Sequence, residues 1–311
     1  MSAAEYFGKG TTTFSFEVTP TKKEKGIAPV FQAVDMLMQY EPAFIDVTTH
    51  QPEVVNGRRV WERFGSLEIA LSIKDIYDVE TVPHVICGGY TAEETEKYLL
   101  EMHRKGIRKV LPIRGDPKKG QKKFIPAEGG HRYASGLVKQ ISDLNRGIHL
   151  DGKIGERTNF NIGVAGYPEV HPESKSLEKD LRYLAEKIKA GENYVDYIVT
   201  QMFFDVEAFK RFFSNCREAG INLPIVPGLK VLDRAEQTDI LPEIFGCKIP
   251  QNVVDEVNKY KNNSEIVKEI GISHAVEMCE ELLKFGAPDL HFYVLREAEP
   301  VAEVMRRLMK R

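Results

Sequence analysis

Eight short apolar or β-branched runs recur along the chain, separated by stretches with helical periodicity. The runs are TFSFEV (13–18), FIDVTT (44–49), VPHVICG (82–88), KVLPIRG (109–115), NIGVAGYP (161–168), DYIVTQM (196–202), PIVPGLK (224–230) and LHFYVL (290–295). Among the intervening segments, TAEETEKYLLEMHRKG (91–106) opens on a capping box, Thr91 with Glu94, and stops at Gly106. SLEKDLRYLAEKIKAG (176–191) repeats the design, with apolar residues three and four apart and a terminal glycine. Strands that alternate with helices pair in parallel through right-handed crossovers. Eight such units in 311 residues predict an α/β fold of the (β/α)8 TIM-barrel type, a single domain over 1–311, with an open doubly wound sheet as the competing arrangement. Residues 231–289 are too many for one connection and are expected to hold two or three extra helices. VWERFGSLEIALSIKDI (60–76) holds a further helix in the less patterned 50–80 region.

Composition excludes several classes of partner. A net charge of −3 leaves no electrostatic footprint for nucleic acid, and the one basic cluster, KKGQKKF (118–124), reads as a solvated loop. Cys87, Cys216, Cys247 and Cys279 are widely spaced, without CxxC or a zinc-type partner, and read as reduced buried thiols. No apolar run approaches the roughly 20 residues that span a bilayer, and MSAAEYFGKG lacks the pattern of a signal peptide. The expected setting is the cytoplasm, with no membrane partner.

In such a barrel the active site lies at the C-terminal ends of the strands. Those ends are polar here: Glu17 and Thr19, then Thr48, Thr49 and His50, then His84 within the third run, then Arg114–Gly115–Asp116. The later runs lead into Tyr167 and His171, Gln201, Lys230, and His291 with Tyr293. One buried polar residue is ordinarily a satisfied structural group; polar residues at the same end of nearly every strand favour an active site. Alternation sharpens the first strand. Phe14, Phe16 and Val18 share the face suited to the helix layer, which turns Ser15, Glu17 and Thr19 toward the barrel interior. A carboxyl there between apolar walls is expected to have a raised pKa and to serve as a general acid, with an ion pair to a neighbouring Lys or Arg as the plainer reading.

Cofactor fingerprints are absent: no GxGxxG follows a strand, and there is no GxxxxGK[ST], GxSxG or HExxH. No metal is implied. Residue patterns alone stop at a barrel enzyme with a polar mouth and an acid on its first strand.

At these residues the chain resembles the methylenetetrahydrofolate reductase family. The resemblance runs through FSFEV, VPHVICGG, LPIRGD, VAGYPEVHPES, IVTQMFFD, VPGLK and LHFY, in order and over essentially the whole chain. It implies a (β/α)8 barrel with non-covalent FAD at the strand C-termini, reducing 5,10-methylenetetrahydrofolate to 5-methyltetrahydrofolate at the expense of NAD(P)H. By position, Glu17 matches the family's catalytic glutamate, the acid that assists opening of the five-membered ring to the iminium that accepts hydride. Asp116 matches the aspartate near flavin and pterin, and Gln201 a glutamine on the pterin. Gln237, nine positions on from Gly228, falls at another folate-side glutamine. Tyr293 and Arg296 complete the substrate set. The flavin positions implied are Thr48, His84, Arg114, Gly115, Asp116, Tyr133, Ala134, Ala165, Tyr167, His171, Asp180 and Lys187. In that set Arg114, His171 and Lys187 suit a pyrophosphate, Asp180 ribose hydroxyls and Tyr167 the ring system.

The resemblance also implies ping-pong kinetics, with nicotinamide and folate using one open flavin face in turn. The chain departs from the family's pattern in three places. Arg296 is displaced by one position with Glu297 in its place, Leu241 stands where some relatives have an aromatic residue, and GLKVL replaces G-[IL]-x-P-[IV]. A regulatory domain after the eighth strand, and feedback control through one, are not expected, whereas self-association into a homo-oligomer is. The alternative reading is a barrel subunit of a multi-subunit folate reductase, fed electrons by an iron–sulfur or flavoprotein partner.

Overall fold

The computed structural model describes residues 12–118, 120–121, 123–174, 176–294 and 297–310. Arg296 lies outside them. Strand β1 (Thr13–Val18) leads through helix α1 (Ala28–Met38) to β2 (Phe44–Val47). A hairpin of β3 (Glu53–Val55) and β4 (Arg58–Val60) precedes α2 (Ser66–Tyr77). Its turn is Asn56–Gly57, both at positive φ, the backbone that a tight two-residue hairpin demands. Then come β5 (Thr81–Ile86), α3 (Ala92–Arg104), β6 (Lys109–Ile113), α4 (Ala134–Asn145), β7 (Asn161–Gly166), α5 (Leu177–Ala190), β8 (Val195–Thr200) and α6 (Val206–Glu218). The seventh run is split into β9 (Ile225–Val226) and β10 (Gly228–Leu229). Helices α7 (Gln237–Phe245), α8 (Gln251–Lys259) and α9 (Ser264–Phe285) follow, then β11 (Asp289–Tyr293) and α10 (Glu299–Met309).

The nine strands of the main sheet run β10-β11-β1-β2-β5-β6-β7-β8-β9, every pairing parallel. Because β9 and β10 are consecutive pieces of one strand, the sheet returns on itself as the predicted TIM-type barrel; the open-sheet alternative falls. Pro227 explains the split, since it has no N–H for the ladder. Val226 pairs back to β8 while Gly228 pairs forward to β11. Side chains close the seam: the Gly228 amide donates to Thr200 Oγ1 at 2.9 Å, and Tyr293 Oη donates to the Thr200 carbonyl at 2.5 Å.

The capping box forms as expected, with reciprocal bonds of 3.1 and 2.9 Å between Thr91 and Glu94. Gly106 ends its segment at φ +89°. Gly191 serves another purpose. Its φ is −87°, and a Cβ there would lie 2.3 Å from Val195 Cγ2 and 2.9 Å from Val138 Cγ1, so close packing requires it.

Two apolar layers hold the barrel. Phe16, Val18 and Phe292 point outward into the shell beneath the helices. Full burial of a phenylalanine of this kind contributes roughly 1.5–3 kcal/mol. Inside the barrel, Phe44, Val82, Leu111, Tyr197, Val199 and Val226 form a smaller plug. The four cysteines are free and buried, and among the described residues no helix is long and apolar enough to cross a membrane.

Candidate active site

Register in β1 decides the site. Phe16 packs outward, so Glu17 turns inward beside its register partners, Asp46 on β2 and Tyr293 on β11. The walls around Glu17 are polar, which corrects the expectation of apolar ones. Its Oε2 lies 3.4 Å from His84 Nε2, and the same nitrogen lies 3.5 Å from Asp46 Oδ2. All three side chains are at least nine-tenths buried. The pairing foreseen with Lys or Arg is made with a histidine instead.

Burial raises the Glu17 pKa to about 7; His84 pulls it down and Asp46 pushes it up. Burial opposes the charged form of His84, but Asp46 and Glu17 outweigh it and leave its pKa raised. His291, on β11, is pulled to about 4 chiefly by burial. Donor atoms of Glu17, Asp46 and His291 lie within 4.8 Å of one another, a cluster from three strands that no spacing along the chain announces.

The raised Glu17 pKa has a stability consequence. Between about 4.5 and about 7 the native state holds a proton that the unfolded chain has released, so stability falls as pH rises through that window and levels off above it. The difference corresponds to a cost on the order of 3 kcal/mol at pH 8. Glu17→Gln is therefore expected to be more stable than the parent at pH 8 and equal to it near pH 4, read from urea midpoints. A variant less stable at pH 8 contradicts this assignment.

Around the rim, Thr48 Oγ1 donates to Thr19 Oγ1 at 3.2 Å beside Glu17. On the far side, Arg114 makes a two-pronged pair with Glu173, at 2.6 and 2.9 Å, and covers the Phe124 ring at 5.4 Å. Glu173 was not among the expected site residues, although it sits in the YPEVHPE string. Gly115 takes φ +82°, and the Asp116 carbonyl accepts from Gln51 Nε2. The Tyr167 ring meets His171 edge-on at 4.5 Å and feels the charges of Arg114, Asp116 and Asp180, with burial pushing its pKa to about 12. The His171 amide donates to Asp180 Oδ2 at 2.6 Å. Lys187 Nζ donates to the Ala165 carbonyl at 2.6 Å. Tyr133, exposed, caps α4 just before Ala134, near enough to Arg114 to affect it.

The fold thus gathers Arg114, Asp116, Tyr133, Ala165, Tyr167, His171, Asp180, Lys187 and Gln201 on one arc, and Glu17, Thr48 and His84 on another. Gln201 Oε1 accepts from the Met202 amide at 2.9 Å, and its side chain bonds Tyr167. Gln237 is bonded within its own turn. It is buried, and its Oε1 accepts from the Asp233 and Arg234 amides at 2.8 and 3.2 Å, which ties down the turn after Lys230.

The first arc suits a dinucleotide. Burial drops the Lys187 pKa to about 8, yet among the described residues no carboxylate lies within 4 Å of its ammonium. A buried cation bonded to one carbonyl, with the Asp180 charge acting from farther off, has room for a further anion. The left-handed backbone at Gly115 supplies a surface with no side chain in the way.

A parallel barrel with a buried acid at its mouth and Arg114 and Lys187 across it has the layout of a barrel enzyme's site. Comparison with known proteins makes this specific. The sequence model described as methylenetetrahydrofolate reductase matches residues 2–309. A methylenetetrahydrofolate reductase (NADH) 1 of Arabidopsis thaliana is 35% identical over 314 residues, 96% of this chain and 49% of that protein. The 5,10-methylenetetrahydrofolate reductase of Escherichia coli K12 is 31% identical over 291 residues, 94% of this chain and 88% of that protein. The chain belongs to the methylenetetrahydrofolate reductase family. It spans about half the length of the plant relatives it matches. A solved structure of an uncharacterized Clostridium thermocellum protein that binds two copies of 5-methyl-5,6,7,8-tetrahydrofolic acid superposes with a TM-score of 0.59 at 16% identity, over 99% of both chains. At that identity the likeness speaks for the barrel alone.

Proposed function

We propose that the protein reduces 5,10-methylenetetrahydrofolate to 5-methyltetrahydrofolate with NAD(P)H, in two half-reactions through a bound FAD. The observation that carries this reading is Glu17. It is a carboxyl with its pKa lifted to about 7, at the mouth of a barrel that belongs to this family. Bound FAD supplies the hydride relay between nicotinamide and folate.

The chain's own residues do the rest. Arg114 and Lys187 offer positive charge to the pyrophosphate and His171, kept neutral by burial, a ring N–H; Asp180 accepts from ribose hydroxyls, and the Gly115 backbone and Tyr167 border the ring system. Asp116 and Gln201 face the pterin. With a pKa of about 7, Glu17 keeps a large protonated fraction near neutrality and gives that proton to the folate ring nitrogen whose bond to the methylene carbon breaks. The ring then opens to the iminium that takes hydride. The pyrophosphate role of Arg114 requires it to loosen or share Glu173, and Gln237 contributes by holding its turn.

Purified protein is expected to be yellow and to bleach anaerobically on adding NADH or NADPH, with stopped-flow rates distinguishing the two donors. A colourless protein that takes up no FAD defeats the reading. Bleaching by dithionite but by neither nicotinamide would show that a partner subunit feeds the barrel instead.

A further inference from the structure

Below Glu17 the barrel interior holds a file of polar groups that the proposed reaction does not use. At the N-terminal end, Thr13 is half-buried, and its Oγ1 donates to Asp289 Oδ2 at 2.5 Å. Ser15 Oγ lies 2.5 Å from Asp289 Oδ1 and 2.8 Å from His291 Nδ1. His291 Nε2 faces Asp46 Oδ2 at 3.9 Å, and Asp46 reaches Glu17 through His84 Nε2 at the distances above. Seven residues from four strands join the outer end of the barrel to its mouth.

We propose that this file is a proton path, which reloads Glu17 from the N-terminal face of the barrel while substrate covers the mouth. The inference rests on Glu17 being the acid. Geometry and incomplete bonding carry it. Both oxygens of Asp46, both nitrogens of His84 and His291 Nε2 are buried and make no well-aligned hydrogen bond, although His84 Nε2 stands 3.4 Å from Glu17 and 3.5 Å from Asp46. A polar core serving only stability would satisfy such groups, because each orphan costs about 1–3 kcal/mol. Groups that must pass a proton between two partners gain from being held within reach of both and locked to neither. The His291 ring is pinned for this, stacked on Phe44 at 6.0 Å and edge-on to Tyr293 at 5.2 Å.

The protons balance. Glu17 loses one to the substrate nitrogen and regains one from His84 Nε2, which takes it from Asp46 Oδ2. His291 refills Asp46 from Nε2 while accepting at Nδ1 from Ser15. Ser15 takes its proton from Asp289, and Asp289 takes one from water through the Thr13 hydroxyl. One proton enters and one leaves per turnover. The groups facing this file are Tyr293 against Glu17 and Asp46, His50 against His84, and Tyr197 and Asp289 against Asp46. Burial keeps His291 neutral, as a two-way imidazole relay requires.

The test uses the full-length FAD-loaded protein carrying Ser15→Ala or Asp289→Asn, both below Glu17 in the file. Below the Glu17 pKa of about 7, the first turnover of the pre-reduced enzyme with methylenetetrahydrofolate should match the parent, because Glu17 starts loaded. Later turnovers should slow by about tenfold or more, as the proton must come by another route. Equal steady-state rates, or a first turnover slowed as much as later ones, overturn the path. If neither variant folds, the rate of the unmutated protein in mixtures of H2O and D2O decides. Several protons in transit give a curved dependence on deuterium fraction; a linear one overturns the path. Failure of the acid assignment looks different: Glu17→Gln would then still reduce folate.

Discussion

Glu17→Gln is expected to bind FAD and accept electrons from NAD(P)H at the parent's rate, yet reduce methylenetetrahydrofolate about 10²–10⁴-fold more slowly, the usual worth of a positioned general acid. Glutamine keeps the shape and can still face His84 Nε2, but it carries no acidic proton. The nicotinamide half-reaction moves hydride without needing that proton, so the two halves should separate cleanly in stopped flow. Because the same substitution is expected to stabilise the protein at pH 8, lost activity cannot be put down to unfolding. Survival of both half-reactions would return Glu17 to the status of a structural ion-pair partner.

Gly228→Ala should destabilise the barrel by about 3 kcal/mol, at the upper end of overpacking effects. A Cβ at Gly228 would stand 2.2 Å from the Thr200 carbonyl oxygen and 2.6 Å from Tyr293 Oη. Backbone cannot yield there, because Thr200 and Tyr293 are the groups that stitch the seam opened by Pro227. A lowered urea midpoint with an unchanged slope is the expected result. A shift within about 0.5 kcal/mol, the range of ordinary surface substitutions, would mean the seam is looser than drawn.

Much of the fold was legible because it is written in periodicity. The alternation of Phe14, Phe16 and Val18 against Ser15, Glu17 and Thr19 follows from the two-residue repeat of a strand, and the inward turn of Glu17 follows with it. Thr91, Glu94 and Gly106 mark a helix by local chemistry alone. The hairpin at 53–60 was passed over although Asn56–Gly57 marks it. The split strand was missed because one proline interrupts a ladder only once the neighbouring strands are known. Asp46 was missed for a related reason. In FIDVTT it resembles any acid near a strand end, and only the register of β2 against β1 sets it opposite Glu17. The sequence suits Arg114 to a pyrophosphate but does not show its partner; the pairing with Glu173 joins loops 59 positions apart.

What the amino-acid order determined by itself is the barrel, the face of each strand and the family, since these depend on residue types at short, regular spacings and on long unusual strings. What only the tertiary structure decided is the electrical setting of the acid. Strands β1, β2, β5 and β11 come from distant parts of the chain, and the interaction of buried charges depends steeply on distances of a few ångströms. No reading of one strand places His84 between two carboxylates, or Ser15 and His291 in file beneath them.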